Sequence, residues 1–301
     1  MHALVIVNPS SGRGLARTLA ERVGQALEAL GVTVSHASPD DLTQPGLSPR
    51  DADLAVVVGG DGTVHRLLPW LVRSRAALYH YPAGTENLFA RDWGMRPDPD
   101  TLARAVRRWR VRRTDLGEIG HAPGPGPGSR FAVMCSVGLD ASVIRRVHAD
   151  RRGPISHAAY LRPILAELCD PYLPRLRVRV DGVESAVGRG LVVVANSRQY
   201  AARLNPARDA DPTDGLLDPV FLHAESAADA ARLALAARLG RLRHEPGTVL
   251  RRGVSIEVQI ESTEPMIAQA DGEALGAIPD TIRTITVTAM PRVLRVLEET
   301  E

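Results

Sequence analysis

The stretch Leu54-Ala55-Val56-Val57-Val58-Gly59-Gly60-Asp61-Gly62-Thr63-Val64-His65-Arg66-Leu67-Leu68 decides how the rest of the chain is read. It opens as an unbroken apolar, β-branched run, the pattern of a strand buried on both faces. Three glycines around one aspartate interrupt the run, and helical spacing then resumes. A strand, a tight loop and a helix are predicted. Glycine allows positive φ and lets a bulky anion approach the main chain, and the following helix points its first N–H groups at that anion. Many strand-to-helix turns are glycine-rich for steric reasons alone, so Asp61 carries the distinction. A carboxylate inside a phosphate loop is repulsive unless a metal ion or a transferable proton lies between them, which points to Mg²⁺-dependent phosphoryl chemistry.

The surrounding chain is ordinary globular material: 301 residues, 44% hydrophobic and 24% charged, enough for two domains. All 37 basic side chains are arginine, and the absence of lysine excludes both the GxxxxGKS/T phosphate loop and the strand lysine of protein kinases. Cys135 and Cys169 lie far apart without a ligand-like spacing, so neither a zinc site nor a disulfide framework is expected. Met1 leads straight into Leu4-Val5-Ile6-Val7, with no signal-like or membrane-spanning run. A cytoplasmic protein is expected, with peripheral attachment at the inner membrane face left open.

Residues 3–8 read as a buried strand that ends in the small, polar turn Asn8-Pro9-Ser10-Ser11-Gly12-Arg13-Gly14. Leu15, Leu19, Val23, Leu27 and Leu30 then predict a helix closed by Gly31, and Val32-Thr33-Val34 a second strand. Residues 38–53 read as a loop. A fourth strand, Ala76 to Tyr81, ends at Gly84-Thr85-Glu86-Asn87, where another helix opens. Such alternation predicts parallel strands whose loops converge at their carboxyl ends. A helix at 100–111 is expected to carry Arg104, Arg107, Arg108, Arg110, Arg112 and Arg113, read first as a solvated face and secondly as a contact for an anionic surface. After the Pro- and Gly-rich stretch 121–129 the strands shorten and alternate, as in Leu176 to Val183, with helices expected near 154–169 and 226–243. The fold expected is a Rossmann-like α/β domain followed by a predominantly β, sandwich-like domain. Their bounds are residues 1–118 with a C-terminal return of 288–301, and residues 119–287.

Six segments, Asn8-Pro9-x-Ser11-Gly12, Gly59-Gly60-Asp61-Gly62-Thr63, Gly84-Thr85-x-Asn87-x-Phe89-Ala90, Gly138-Leu139-Asp140-Ala141, Asp214-Gly215-Leu216-Leu217-Asp218 and Asp271-Gly272-Glu273, occur in one order. That order resembles the diacylglycerol kinase catalytic-domain family, which includes bacterial lipid kinases and sphingosine kinases. The resemblance implies a kinase dependent on ATP and Mg²⁺ that phosphorylates a lipid hydroxyl. It also implies a nucleotide-binding first domain and a lipid-binding β-sandwich. Carried over, Asn8, Ser11, Gly12, Arg13, Gly59, Gly60, Asp61, Gly62, Thr63, Gly84, Thr85 and Asn87 would line the nucleotide. Asp61 and Asp115 would belong to a Mg²⁺ and water network, and Asp214 resembles a ligand of a separate structural Mg²⁺. Asp271 is similar to the family's general base, with Glu273 beside it; Asp61 stays open as the alternative base. A transient contact with the membrane surface follows from a lipid acceptor. Nucleic acid is not an expected partner, and a homodimer is left open.

The chain departs from that pattern where many relatives have Gly-Thr-Gly-Asn-Asp. Here Glu86 adds a charge and Leu88 removes one, and Ala195-Asn196-Ser197-Arg198-Gln199-Tyr200-Ala201-Ala202 stands where relatives have Tyr-Gly-Gly-Gly after a Gly-Asn. Two alternatives remain: an NAD kinase-like enzyme with the same loop, and a non-catalytic nucleotide- or lipid-binding protein of the same fold. Retention of Asp61, Asp115, Asp271 and Glu273 speaks against the second.

Overall fold

A computed structural model describes residues 1–8, 16–43, 52–120, 129–149, 166–167, 170–276, 278 and 281–299. The chain divides into two compact units, Met1–Thr114 with Arg292–Glu301, and Asp115–Pro291.

In the first unit β1 (His2–Val7), β2 (Thr33–Ala37), β3 (Leu54–Gly59) and β4 (Ala77–Pro82) form a parallel sheet in the order β2-β1-β3-β4. Every residue of β3 is buried, as an apolar run without alternation requires. Full burial of each aliphatic side chain contributes about 1.5–3 kcal/mol, so β3 is the spine of this sheet. The helices are α1 (Ala16–Glu28), α2 (Pro39–Thr43), α3 (Asp61–Ser74), α4 (Leu88–Asp92) and α5 (Pro99–Arg108). Helix α1 buries Ala16, Ala20, Val23, Gly24 and Leu27 and gives way to Gly31 at φ 75°. Short α2 lies within residues expected to be loop. Ser38 and Asp41 cap it reciprocally, the Ser38 N–H donating to Asp41 Oδ2 (2.8 Å) and the Asp41 N–H to Ser38 Oγ (3.2 Å).

Helix α5 starts at an Asp98 cap followed by Pro99 and ends at Trp109, which is left-handed at φ 46°. The helix therefore stops before residue 111, and Arg112 and Arg113 lie on strand β5 (Val111–Gly120). Arg104 and Arg112 face Glu299 and Glu298 at 3.3 and 3.5 Å. Near the C-terminus, Val296 of β15 (Thr284–Leu297) pairs in parallel with Leu78 of β4.

The second unit is antiparallel. Strand β7 (Met134–Val137) pairs with β9 (Val183–Ala195) and β13 (Ala268–Ala270), and β9 pairs with β8 (Arg175–Val180) and β10 (Asp218–His223). Strand β12 (Ser255–Ile260) lies between β8 and the first half of β15. The pairs β5 with β6 (Ser129–Phe131), β10 with β11 (Thr248–Leu250) and β13 with β14 (Glu273–Ala274) complete it. Val192, Val194, Phe221, Ile256, Val258 and Val287 are among the side chains of its core. Two helices are described, α6 (Leu139–Ala149) and α7 (Ala227–Leu239). The expected 226–243 helix is cut at Gly240 (φ 72°), whose N–H closes the last turn, and only a short 3₁₀ turn follows. The helix expected at 154–169 lies outside the described residues apart from 166–167.

Candidate active site

In the first unit the loops that follow β3 and β4 meet main chain to main chain. A Cβ on Gly84 would stand 2.6 Å from Gly60 Cα, and one on Gly59 would stand 2.6 Å from Thr63 Oγ1. Only glycine fits at this crossing. Asp61, at the start of α3, accepts the N–H of Leu88 at Oδ2 (2.9 Å) and of Phe89 at Oδ1 (3.1 Å). Its charge thus sits at the N-terminus of α4, where unpaired helical N–H groups need an acceptor. The Asn87 side chain holds Gly84 in both directions, Oδ1 accepting its N–H and Nδ2 donating to its carbonyl, each at 2.9 Å. Asn8 Nδ2 donates to Thr63 Oγ1 at 3.1 Å, tying the end of β1 to α3.

Asn8, Gly59, Gly60, Asp61, Gly62, Thr63, Gly84, Thr85 and Asn87 therefore stand together at the carboxyl ends of parallel strands. Ser11, Gly12 and Arg13 lie outside the described residues. Glu86 pairs with Arg91 at 3.4 Å, and Leu88 is buried.

His80 lies beneath this loop with no solvent exposure, its Nε2 at 2.9 Å from the Gly59 carbonyl. Since a carbonyl only accepts, Nε2 carries the proton. Nδ1 is a buried acceptor without a donor among the described residues. Burial depresses the His80 pKa, with the Asp61 charge and the Gly59 hydrogen bond opposing. The sign follows. Above the unfolded value of 6.5 both states are neutral. Below it the unfolded chain takes up a proton that the fold refuses. Stability is expected to fall with decreasing pH by up to about 1.4 kcal/mol per unit between the two pKa values. Denaturant midpoints from pH 7 to 5.5 should show a smaller slope in His80→Gln than in the wild type; equal slopes contradict the assignment.

The second unit supplies a separate polar centre. Asp271 and Gly272, at φ 50° and 82°, form the two-residue turn between β13 and β14. The Asp271 carboxylate turns inward. Oδ2 accepts from the Ala132 N–H (2.8 Å), and Oδ1 from those of Val133 (2.8 Å) and Met134 (3.1 Å). Three of its roughly four acceptor positions are thereby filled by main chain. Beside it, burial first and the Asp271 charge second push the buried Cys135 thiol pKa up. Glu273 stands 3.5 Å from His148 Nε2, which also contacts the Gly272 carbonyl at 3.1 Å.

Asp115 is fully buried, its Oδ2 accepting from the Gly215 N–H at 2.6 Å. Asn196 Nδ2 donates to the carbonyls of Asp115 (3.0 Å) and Ala132 (2.8 Å), so Asp115, Asn196, Ala132 and Asp271 share one network. Asn196 Oδ1 is buried without a donor among the described residues.

Asp214 lies at the edge of this unit. Its Oδ1 accepts from the Leu216 N–H (3.0 Å), and its Oδ2 stands 3.1 Å from the Arg252 guanidinium, which Asp218 shares at 2.9 Å. Among the described residues no group of three or more His, Cys, Asp or Glu side chains could hold a metal ion. A site built from three or more such side chains does not fit the donors described. Mg²⁺ that keeps its waters and arrives on substrate phosphates, needing one or two carboxylates, does fit.

His80, His148 and Asn196 are not among the candidate site residues read from sequence, where Asn196 stands only in the segment that departs from the family pattern. Only Asn196 carried a signal, a polar residue directly after the apolar run 191–195.

Residues 2–119 match the diacylglycerol kinase catalytic domain, and residues 133–298 match the YegS C-terminal NAD kinase beta sandwich-like domain. The chain belongs to this family. It is 30% identical to a diacylglycerol kinase of Mycobacterium tuberculosis over 235 residues, covering 76% of this chain and 75% of the relative. It is 26% identical to a diacylglycerol kinase of Bacillus subtilis over 288 residues, 92% and 91% of the two chains. A solved structure from Bacillus anthracis superposes with a TM-score of 0.77 at 21% identity, covering 99% of this chain and 95% of the other. Among the described residues no helix is long and apolar enough to cross a membrane.

Proposed function

We propose that the protein transfers the γ-phosphate of ATP, in a Mg²⁺-dependent reaction, to the hydroxyl of a diacylglycerol-like or sphingoid-like lipid. The observation that carries this is the main-chain contact of Gly60 with Gly84, with Asp61 bonded across it. Phosphoryl transfer demands positioning and charge stabilisation more than covalent chemistry, and amide-rich glycine loops at strand ends supply both. In this reading Asn8, Ser11, Gly12, Arg13, Gly59, Gly60, Gly62, Thr63, Gly84, Thr85 and Asn87 hold the nucleotide. Asp61 and Asp115 are the carboxylates offered to Mg²⁺, which offsets negative charge on the phosphates when bound. Asp271 accepts the acceptor's O–H and orients its oxygen, and Glu273 with His148 lies alongside. Asp214, paired with Arg252, keeps a structural part. A lipid acceptor brings the protein to a membrane surface.

A second reading rests on the NAD kinase-like description of the matched sandwich domain: a dinucleotide ribose as acceptor. Wild-type protein offered Mg·ATP with diacylglycerol or a sphingoid base in mixed micelles, or with NAD, discriminates the two. Phosphorylated lipid, abolished by EDTA, is expected. Phosphorylated NAD without phosphorylated lipid overturns the proposal.

A further inference from the structure

The motif Gly138-Leu139-Asp140-Ala141 has no part in the chemistry set out above, yet its aspartate is wired to the turn that carries Asp271. Gln269, on β13, is 1% exposed and lies opposite Ser136 of β7. Its Nε2 donates to Asp140 Oδ2 (2.9 Å) and Ser136 Oγ (2.9 Å) and touches Met134 Sδ (2.9 Å). Ser136 Oγ in turn donates to Asp140 Oδ2 at 2.5 Å. At the other end of the same amide, Gln269 Oε1 accepts the Gly272 N–H at 2.9 Å. Tyr200, buried, is also hydrogen-bonded to Asp140, its pKa raised by burial first and by Asp140 second.

An amide side chain has a donor end and an acceptor end that are nearly equal in shape. A carboxylate can only accept, so Asp140 dictates which end of Gln269 faces it. The oxygen is thereby directed at Gly272. That bond grips the middle of a turn whose two residues both sit at positive φ, a conformation costly for Asp271, the residue whose carboxylate must be aimed. A buried network with every member satisfied rigidifies what it holds.

We infer that Asp140 and Gln269 are positioning residues: Asp140 fixes the orientation of the Gln269 amide, and Gln269 fixes the turn that aims Asp271 and Glu273. Their catalytic consequence rests on the kinase reading, but the hold on Gly272 does not. Misplacement of a reacting group by an ångström lowers turnover by up to about a hundredfold.

The test uses the full chain with Gln269→Leu, Asp140→Asn and Ser136→Ala, read by amide exchange at Gly272 and by kcat and KM. Asn at 140 can donate as well as accept, so it frees the Gln269 amide to flip. Ser136→Ala disturbs the same buried cluster without touching Gly272. Expected are faster Gly272 exchange in Gln269→Leu and Asp140→Asn but not in Ser136→Ala. The first two should also show a kcat loss of about tenfold or more with the KM for ATP unchanged. Unchanged Gly272 exchange in Gln269→Leu overturns the inference, as does an equal effect of all three substitutions, which marks generic core damage. If the wild type phosphorylates no lipid, the kinase reading fails while Gly272 exchange still decides the positioning.

Discussion

Asp271→Ala is expected to lower stability by about 3 kcal/mol or more and to abolish phosphoryl transfer, because the substitution removes the shared acceptor of three main-chain N–H groups. Ala132, Val133 and Met134 are all buried, so their amides have no ready replacement. A hydrogen bond to a charged group contributes about 1.5–3 kcal/mol, and water entering the vacated space recovers part of the sum. Alanine also tolerates the left-handed geometry at φ 50° less well than aspartate, which adds to the loss.

Asp271→Asn separates the structural part from the chemical one. Asparagine tolerates positive φ and keeps one oxygen, but its amide turns a donor toward at least one of the N–H groups. A cost of about 1–2 kcal/mol is expected, with a loss of transfer as complete as for alanine. Denaturant unfolding beside label-transfer rates measures both. Near wild-type turnover in Asp271→Asn would assign Asp271 to the fold alone.

Gly84→Ala is the other substitution with a large expected effect. Its Cβ would meet Gly60 Cα at 2.6 Å and Asn87 Oδ1 at 2.9 Å, and the first of these is backbone that cannot swing aside. Forcing the loops apart strains the Asp61 bonds to Leu88 and Phe89. A stability loss of about 1–3 kcal/mol is expected, as for other overpacked sites. ATP affinity should fall by more than about tenfold, as expected where main-chain N–H groups at a helix start form the anion site. Gly31→Ala is the control: with φ 75° and open space around it, it costs about 1 kcal/mol with ATP affinity unchanged. Equal ATP affinity in wild type and Gly84→Ala would detach the loop from the nucleotide.

What could be read from the sequence was what is local. Strand β3 shows itself because an apolar run without alternation has few other uses, and the glycine loops because a positive φ or a close approach leaves a glycine behind. The end of α5 was misplaced because Trp109 is an unusual left-handed residue, and nothing in an arginine-rich stretch marks the turn. The partners of the aspartates were out of reach. Asp61 acts on Leu88, 27 residues on, and Asp271 on Ala132, 139 residues back. Asp271 is legible as a turn residue and a candidate base, while its inward bonds depend on how β13 packs beside β7. His80 read as one more residue of an apolar strand, and its burial beneath Gly59 follows from the pairing of β3 with β4.

The central claim is tested most directly by following the γ-phosphate of labelled ATP into the lipid fraction with wild type, Asp61→Ala and Asp271→Asn. Label in a lipid phosphate ester with the wild type, and in neither variant, is the predicted result. Wild-type protein that binds Mg·ATP and leaves every lipid hydroxyl unlabelled would contradict it.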